Sequence, residues 1–341
     1  MEHILWIGSP FFSDSLEDCG WPYIKIHNFE DNVIFCWDDL VKISGFTPEV
    51  LVVADKSRPP FILGMEKFPC LTVFYSVDSH IHSWQPLYAQ GFDICLVSLK
   101  DHMQKFISPY MPKERIFWSP PFAKNNTSYR EDIKKEHDCL FVGTVSENTP
   151  KRKMFLDKLK ERFPSLSVMQ GNYIDLFPRG RILLNHCEHD DLNFRVFEAL
   201  GCGGCLVTPR VEHGMHKLFV DGEHLVGYVS EDVGDALFRI KFLLEEPELI
   251  EYIGKTGMAE INAKHRAIHR CQAFTDNLCD IWMQSPETII ANRQKNADII
   301  RENYLKIPYL LWANQINDPL QKEAFLAAAK GNYGLSGLKP Q

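Results

Sequence analysis

Short apolar runs alternate with polar, helically periodic stretches along most of the chain. Residues 3–8 (HILWIG), 23–28, 49–55 (EVLVVAD), 71–78 (LTVFYSVD), 93–98 and 115–120 read as strands. Residues 37–45, 82–91 and 100–107 read as helices between them. Strands of β-branched and apolar character alternating with helices predict a parallel sheet covered on both faces. The pattern breaks at Pro120. Residues 120–137 are polar, charged and poor in large apolar side chains, the composition of a linker.

A second series follows. Residues 138–143 (DCLFVG), 165–171, 180–186 (GRILLNH), 204–209 and 224–229 read as strands. Residues 151–163, 192–201, 232–246 and 247–265 read as helices, the first with Met154, Phe155, Leu159 and Phe163 on one side. From residue 267 onward the pattern is all-helical, punctuated by Pro286, Pro308 and Pro319. The expected organisation is a domain over 1–122, a linker over 123–136, a second domain over 137–266 and a helical segment over 267–341.

Composition narrows the class. A chain of 341 residues with 45% apolar and 24% charged positions suits two globular domains. No apolar run reaches the roughly 18 residues that suggest a membrane span. The start MEHILWIGSP lacks a basic stretch and a cleavage site, so no signal peptide is read and a cytoplasmic protein is expected. A formal net charge of −8 argues against nucleic acid as a partner, because phosphate contacts dominate that affinity. Many of the ten cysteines stand in apolar runs and are expected as reduced, buried side chains. Cys202 and Cys205 invite a redox or zinc reading, but they follow a helix and no second pair completes a metal site.

The densest candidate chemistry lies between Asp190 and Pro209. Asp190 or Asp191 can cap a helix starting near Leu192. Asn193 and Arg195 fall in its first turns, where backbone N–H groups favour an anion. Arg195 offers a fork suited to phosphate, and Glu198 a carboxylate suited to a vicinal diol such as a ribose. Gly201, Gly203 and Gly204 would bring the helix close to the next strand. The competing reading is a surface Arg195–Glu198 pair at i,i+3 spacing. Gly143 and Thr144, just past a strand, would let a phosphate approach the backbone.

The run LNFRVFEALGCGGCLVTP closely resembles the N-x-R-x-F-E-A-x-A-x-G-x-x-x-x-T block of the CgeB-like (spore maturation) glycosyltransferases, within the wider GT-B group. FVGTVSENTPKRKMFLDKLKERFP and the stretch from LFVDGEHLVGYV to NAKHRAIHR resemble the same family; YSVDSH and FDICLVSLKDHMQKF match more loosely. The resemblance implies a GT-B fold: two Rossmann-like domains with parallel sheets facing across a cleft, plus a helical C-terminal extension partly returning to the first domain. It makes the first domain the acceptor side and the second the donor side. It implies Glu198 as ribose ligand, Arg152 and Arg195 near the diphosphate, Gly143 and Thr144 as phosphate loop, and Asp190, eight residues before Glu198, at the sugar. An Asp stands there where Glu is usual.

The implied activity is transfer of a sugar from a nucleotide diphosphate sugar, a UDP-sugar being favoured, to a hydroxyl of a saccharide, protein or other acceptor. It would be metal-independent and retaining, with no tightly bound cofactor. Asp78 or His80, beyond a buried strand, could act as base; alternatively Asp78 caps the next helix. Trp84 and Trp118 could stack on a sugar or simply pack. His213 could face the donor, with His216 on a helix face. A nucleotide-sugar epimerase and a non-catalytic nucleotide-binding scaffold are the alternatives. The C-terminal helices could also form a homodimer surface.

Overall fold

The computed structural model describes residues 1–28, 33–127 and 133–334. Residues 128–132 of the expected linker and the last seven of the expected helical segment lie outside the described residues. The chain divides into two compact units: Met1–Ser119 with Cys271–Gln341, and Pro120–Arg270. Among the described residues no helix is long and apolar enough to cross a membrane.

The first unit is built on β1 (His3–Gly8), β2 (Tyr23–His27), β3 (Val50–Ala54), β4 (Leu71–Ser76), β5 (Ile94–Val97) and β6 (Ile116–Trp118). All pair in parallel, in the order β2-β1-β3-β4-β5-β6. β3, β4 and β5 are wholly buried, as continuous apolar runs in a doubly covered sheet must be. Helix α1 (Trp37–Ser44) ends on Gly45 in the left-handed conformation. Helix α2 (Gln85–Tyr88) is shorter than the 82–91 segment expected to be helical. The backbone carbonyl of Asp78 accepts the Ile81 and His82 N–H groups, so a separate turn precedes it. Residues Lys100–Phe106 form a 3₁₀ rather than an α-helix. Only Phe106 of that segment is buried, too little packing to hold a longer helix.

The second unit carries β7 (His137–Val142), β8 (Leu166–Met169), β9 (Gly180–Leu184), β10 (Cys205–Pro209) and β11 (Val226–Tyr228). They too are parallel, in the order β11-β10-β9-β7-β8. Its helices are α3 (Pro150–Arg162), α4 (Tyr173–Leu176), α5 (Phe194–Gly201), α6 (Met215–Leu218), α7 (Val233–Glu245) and α8 (Pro247–Lys264). α3 buries Phe155, Leu156 and Leu159 but leaves Met154 exposed, so its inner face is rotated from the one read in the sequence.

The remaining helices are α9 (Ala267–Trp282), α10 (Pro286–Lys295), α11 (Ala297–Ile300), α12 (Lys306–Gln315) and α13 (Pro319–Ala329). From α10 onward they pack within the first unit. Arg293 donates from Nε to Asp93 Oδ1 (2.9 Å) and through its other nitrogens to the carbonyls of Met65, Phe68 and Cys70. Trp312 sits edge-on against Trp84 and Tyr88. Pro308 does not interrupt the helical run as the sequence suggested. A π-turn over Arg301–Leu305 precedes it and loosens the ladder where the ring would meet the carbonyl four residues back.

Candidate functional site

In each sheet the first strand is flanked by the second on one side and the third on the other. The chain reverses its winding there, and ligands of open α/β sheets gather at the carboxyl ends of such strands. In the second unit this point lies between β7 and β9, and Arg195 bridges it. From the first turn of α5 its guanidinium donates from Nε to the Val142 carbonyl (2.8 Å), at the end of β7. Nη1 donates to Oδ1 of Asn185 (2.8 Å), just past β9. The guanidinium lies over the Phe141 ring, its carbon 4.9 Å from the centroid. Nη2 has no hydrogen-bond partner among the described residues.

Gly143 is what lets the guanidinium lie there. A Cβ at this position would stand 2.5 Å from Arg195 Nη2. Its N–H is already spent on the Met169 carbonyl, so the residue contributes space rather than a donor. Thr144 holds the second cation: its carbonyl accepts from Arg152 Nη1 (3.0 Å). Arg152 lies on the same aromatic ring at 6.0 Å, and its Nε is buried without a partner. Burial holds the Arg195 guanidinium below its ordinary range, and the charge of Arg152 lowers it further. Two cations thus converge on one strand end, a place that favours an anion with more than one charge.

The α3 N-terminus is occupied. The buried carboxylate of Glu188 accepts the backbone N–H groups of Lys151 (3.1 Å) and Arg152 (2.9 Å). This cap, which the sequence reading missed, orients Arg152. Asn185 was missed as well. Fully buried, it donates to Thr208 Oγ1 (3.0 Å) and Asn193 Oδ1 (3.3 Å) while accepting from Arg195. Asn193 is the N-cap residue of α5, yet its side chain makes no capping bond; it joins this polar network beneath Arg195. The signal for Asn185 was a polar residue directly after the apolar strand GRILL.

Glu198 lies one turn further along α5. Its carboxyl is raised by burial, with Arg195 and Lys124 pulling the other way. The surface Arg195–Glu198 pair read as the alternative does not form, because Arg195 is turned to the strand ends. The neighbouring Tyr173 hydroxyl is buried without a hydrogen-bond partner. Burial and the charge of Glu198 push its ionisation up. Gly204 packs α5 onto the sheet, since a Cβ there would meet Leu183 Cδ1 at 2.2 Å.

Asp190 corrects the sequence reading. Neither it nor Asp191 caps α5; the helix starts at Phe194, and Asp190 takes a left-handed φ of 56° in the preceding loop. Exposed, it accepts a hydrogen bond from Ser230 Oγ (2.6 Å). Beside it, His186 Nε2 and Glu231 Oε1 are 3.0 Å apart, so two contacts tie this loop to the one following β11.

In the first unit, Asp55, at the end of β3, was not anticipated. Its buried carboxylate accepts the N–H groups of Ser57 (2.7 Å), Val77 (3.1 Å) and Asp78 (2.7 Å) and the Gln85 amide (2.7 Å). It thereby fixes the turn that carries Asp78, His80 and His82. Burial, then the charge of Asp55, raises the Asp78 carboxyl, against a hydrogen bond from Ser57 and the nearby His80 and His82. His82 Nε2 is 2.9 Å from Ser57 Oγ. Asp78 starts this turn rather than capping α2.

Trp84 is buried against Trp312 and cannot stack on a sugar. Trp118 carries the Lys100 ammonium 4.0 Å over its ring. His213 has a left-handed φ, and His216 is exposed on α6. Cys202 and Cys205 are free, buried thiols, each pushed up to about 12, by burial above all.

Residues 151–276 match the family model described as glycosyl transferase-like. The chain therefore carries a glycosyl transferase-like domain, and the match begins in α3 and includes α5. No curated protein matches the chain. Among solved structures, HepE of Anabaena in complex with UDP and glucose is similar with a TM-score of 0.59 at 11% identity, over 82% of this chain and 100% of that one. Sucrose-phosphate synthase from Thermosynechococcus elongatus gives 0.60 at 9%, over 84% and 100%. An alpha-glucosyltransferase in complex with UDP-glucose and DNA containing an abasic site gives 0.55 at 10%, over 81% and 98%. The likeness is one of fold: two parallel-sheet α/β units of the GT-B kind with a helical C-terminal region.

Proposed function

We propose that the protein is a glycosyltransferase that moves a sugar from a nucleotide diphosphate sugar to an acceptor hydroxyl, without a metal ion and with retention. The observation that carries this reading is the convergence of Arg152 and Arg195 at the end of β7, each with a nitrogen lacking a protein partner. Two guanidiniums there would neutralise the diphosphate as it leaves, which is where charge develops in sugar transfer. Glu198 would hold the ribose, and Tyr173 offers a hydroxyl beside it. Asp190 would meet the sugar from its exposed loop. In the first unit, Asp78 or His80 would take the acceptor proton.

UDP is the favoured nucleotide, since the fold neighbours include complexes with UDP and UDP-glucose. The CgeB-like affinity of the block 192–209 belongs to the same proposal, as does the division into an acceptor domain over 1–122 and a donor domain over 137–266. A cytoplasmic setting suits the free thiols. A homodimer would use the apolar side chains exposed on the C-terminal helices, among them Ile307 and Leu310, and light scattering measures it.

The test is product analysis with UDP-glucose and a panel of acceptors. Transfer, or slow hydrolysis without acceptor, that is lost in Arg195→Ala supports the reading. Turnover left intact in that variant contradicts it. Epimerised nucleotide sugar without acceptor points to an epimerase, and nucleotide binding with no sugar released from any donor to a scaffold; either result overturns the proposal.

A further inference from the structure

A cavity of about 390 Å³ opens in the first unit, away from the turn that carries Asp78. The strands are parallel; Asp78 follows β4, whereas Phe92 precedes β5 and Arg115 precedes β6. The cavity therefore lies at the amino ends of the strands, the opposite end of the sheet. Its size falls within the range of small-molecule sites.

One wall is the stripe Gln284, Thr288, Asn292 and Asn296. Thr288, Asn292 and Asn296 are spaced four apart and so share one face of α10 and its C-terminal end, while Gln284 lies before Ser285, whose left-handed φ of 69° separates it from the helix. All four are uncharged donors and acceptors. The cavity is also lined by Arg115, half-buried, which donates from Nη2 to the Tyr110 carbonyl (2.7 Å). Its Nε and Nη1 have no partner among the described residues, and it makes no ion pair there. Asp93 is not available to it: one oxygen takes Arg293 Nε (2.9 Å), the other the N–H (2.9 Å) and hydroxyl (3.0 Å) of Thr72. Burial lowers the Arg115 guanidinium from its ordinary range; the charge of Asp93 opposes this, that of Arg293, itself paired with Asp93, adds to it, and Glu114, which also lines the cavity, opposes it.

An unpaired guanidinium fork is matched by a carboxylate or phosphate. A row of side-chain amides and a hydroxyl is matched by a row of hydroxyls, since each offers both donor and acceptor. The Tyr110 ring in the lining adds an apolar face. We propose that this cavity binds an acidic saccharide, a sugar bearing one carboxylate or phosphate, with the acid on Arg115 and the ring hydroxyls along the α10 stripe. The site is separate from the donor site proposed above and stands or falls apart from it.

Calorimetric titration of the full chain, saturated with UDP, with glucose 6-phosphate, glucuronate, glucose and inorganic phosphate tests it. The expected result is binding of one or both acidic sugars, with glucose and phosphate weaker by about tenfold or more, the scale of one charge-assisted bond. Which acidic sugar binds tells phosphate from carboxylate. Arg115→Gln should weaken that binding by about tenfold and leave UDP binding unchanged. Asn292→Leu, at an exposed position, should also weaken it and serves if the first variant does not fold. Failure of both acidic sugars to bind, phosphate alone binding as tightly, or unchanged affinity in the variants would overturn the proposal.

Discussion

Gly143 and Arg195 fit against each other with no room for a methyl group: a Cβ on Gly143 would lie 2.5 Å from Arg195 Nη2. The guanidinium is meanwhile held from two strands, by Val142 and Asn185. A substitution at position 143 therefore acts on the cation.

Gly143→Ala is expected to displace the guanidinium, costing about 1–3 kcal/mol of stability as overpacking and weakening UDP binding by about tenfold or more. Thermal melts and calorimetry read the two effects. Unchanged affinity for UDP would show that the guanidinium position is unimportant.

Glu198 gives a pH dependence with a definite sign. Its folded-state carboxyl is raised from 4.5, so the folded chain holds this proton more tightly than the unfolded chain. Ionising it as the pH rises from about 4.5 through the raised value therefore costs stability, and the cost persists above that value. Glu198→Gln should stabilise the protein at neutral pH, flatten that limb of the urea-stability profile and weaken UDP binding. A variant that is both less stable and equally able to bind UDP would contradict this assignment.

Arg293 is the clasp of the C-terminal helices. Arg293→Met leaves Asp93 buried without its charge partner, which is expected to cost about 3–5 kcal/mol. Urea denaturation followed through the first unit measures it, and a loss below about 1 kcal/mol would contradict the role.

The thiols of Cys202 and Cys205, pushed up to about 12, should resist alkylation in the native protein at pH 8 or so. Exposed Cys279 should react first. Mass mapping after brief treatment with iodoacetamide decides it. Early labelling of the Cys-Gly-Gly-Cys pair would revive a redox role.

The strands were legible because a sheet buried on both faces demands unbroken apolar runs, as in EVLVVAD and LTVFYSVD. The glycosyl transferase-like block was legible because its glycines, Arg195 and Glu198 lie within one short segment. Asn185, Glu188 and Asp55 were not. Asn185 and Asp55 directly follow a strand and Glu188 stands three residues beyond Asn185, each among other polar residues, and their partners, such as Arg195 for Asn185, are supplied by the tertiary fold. Asp190 was misread because an N-cap is set by backbone conformation, and its left-handed φ places it in a turn, leaving Asn193 as the helix boundary. The pairing of Asp93 with Arg293 spans two hundred residues and carries no local pattern.

The most direct measurement is calorimetric titration of UDP into the wild-type protein and Arg195→Ala. The account predicts that wild type binds and that the variant loses about 1.5–3 kcal/mol of binding free energy while keeping its fold by circular dichroism. Equal binding by the two, or no binding by wild type, would contradict a diphosphate site at the end of β7.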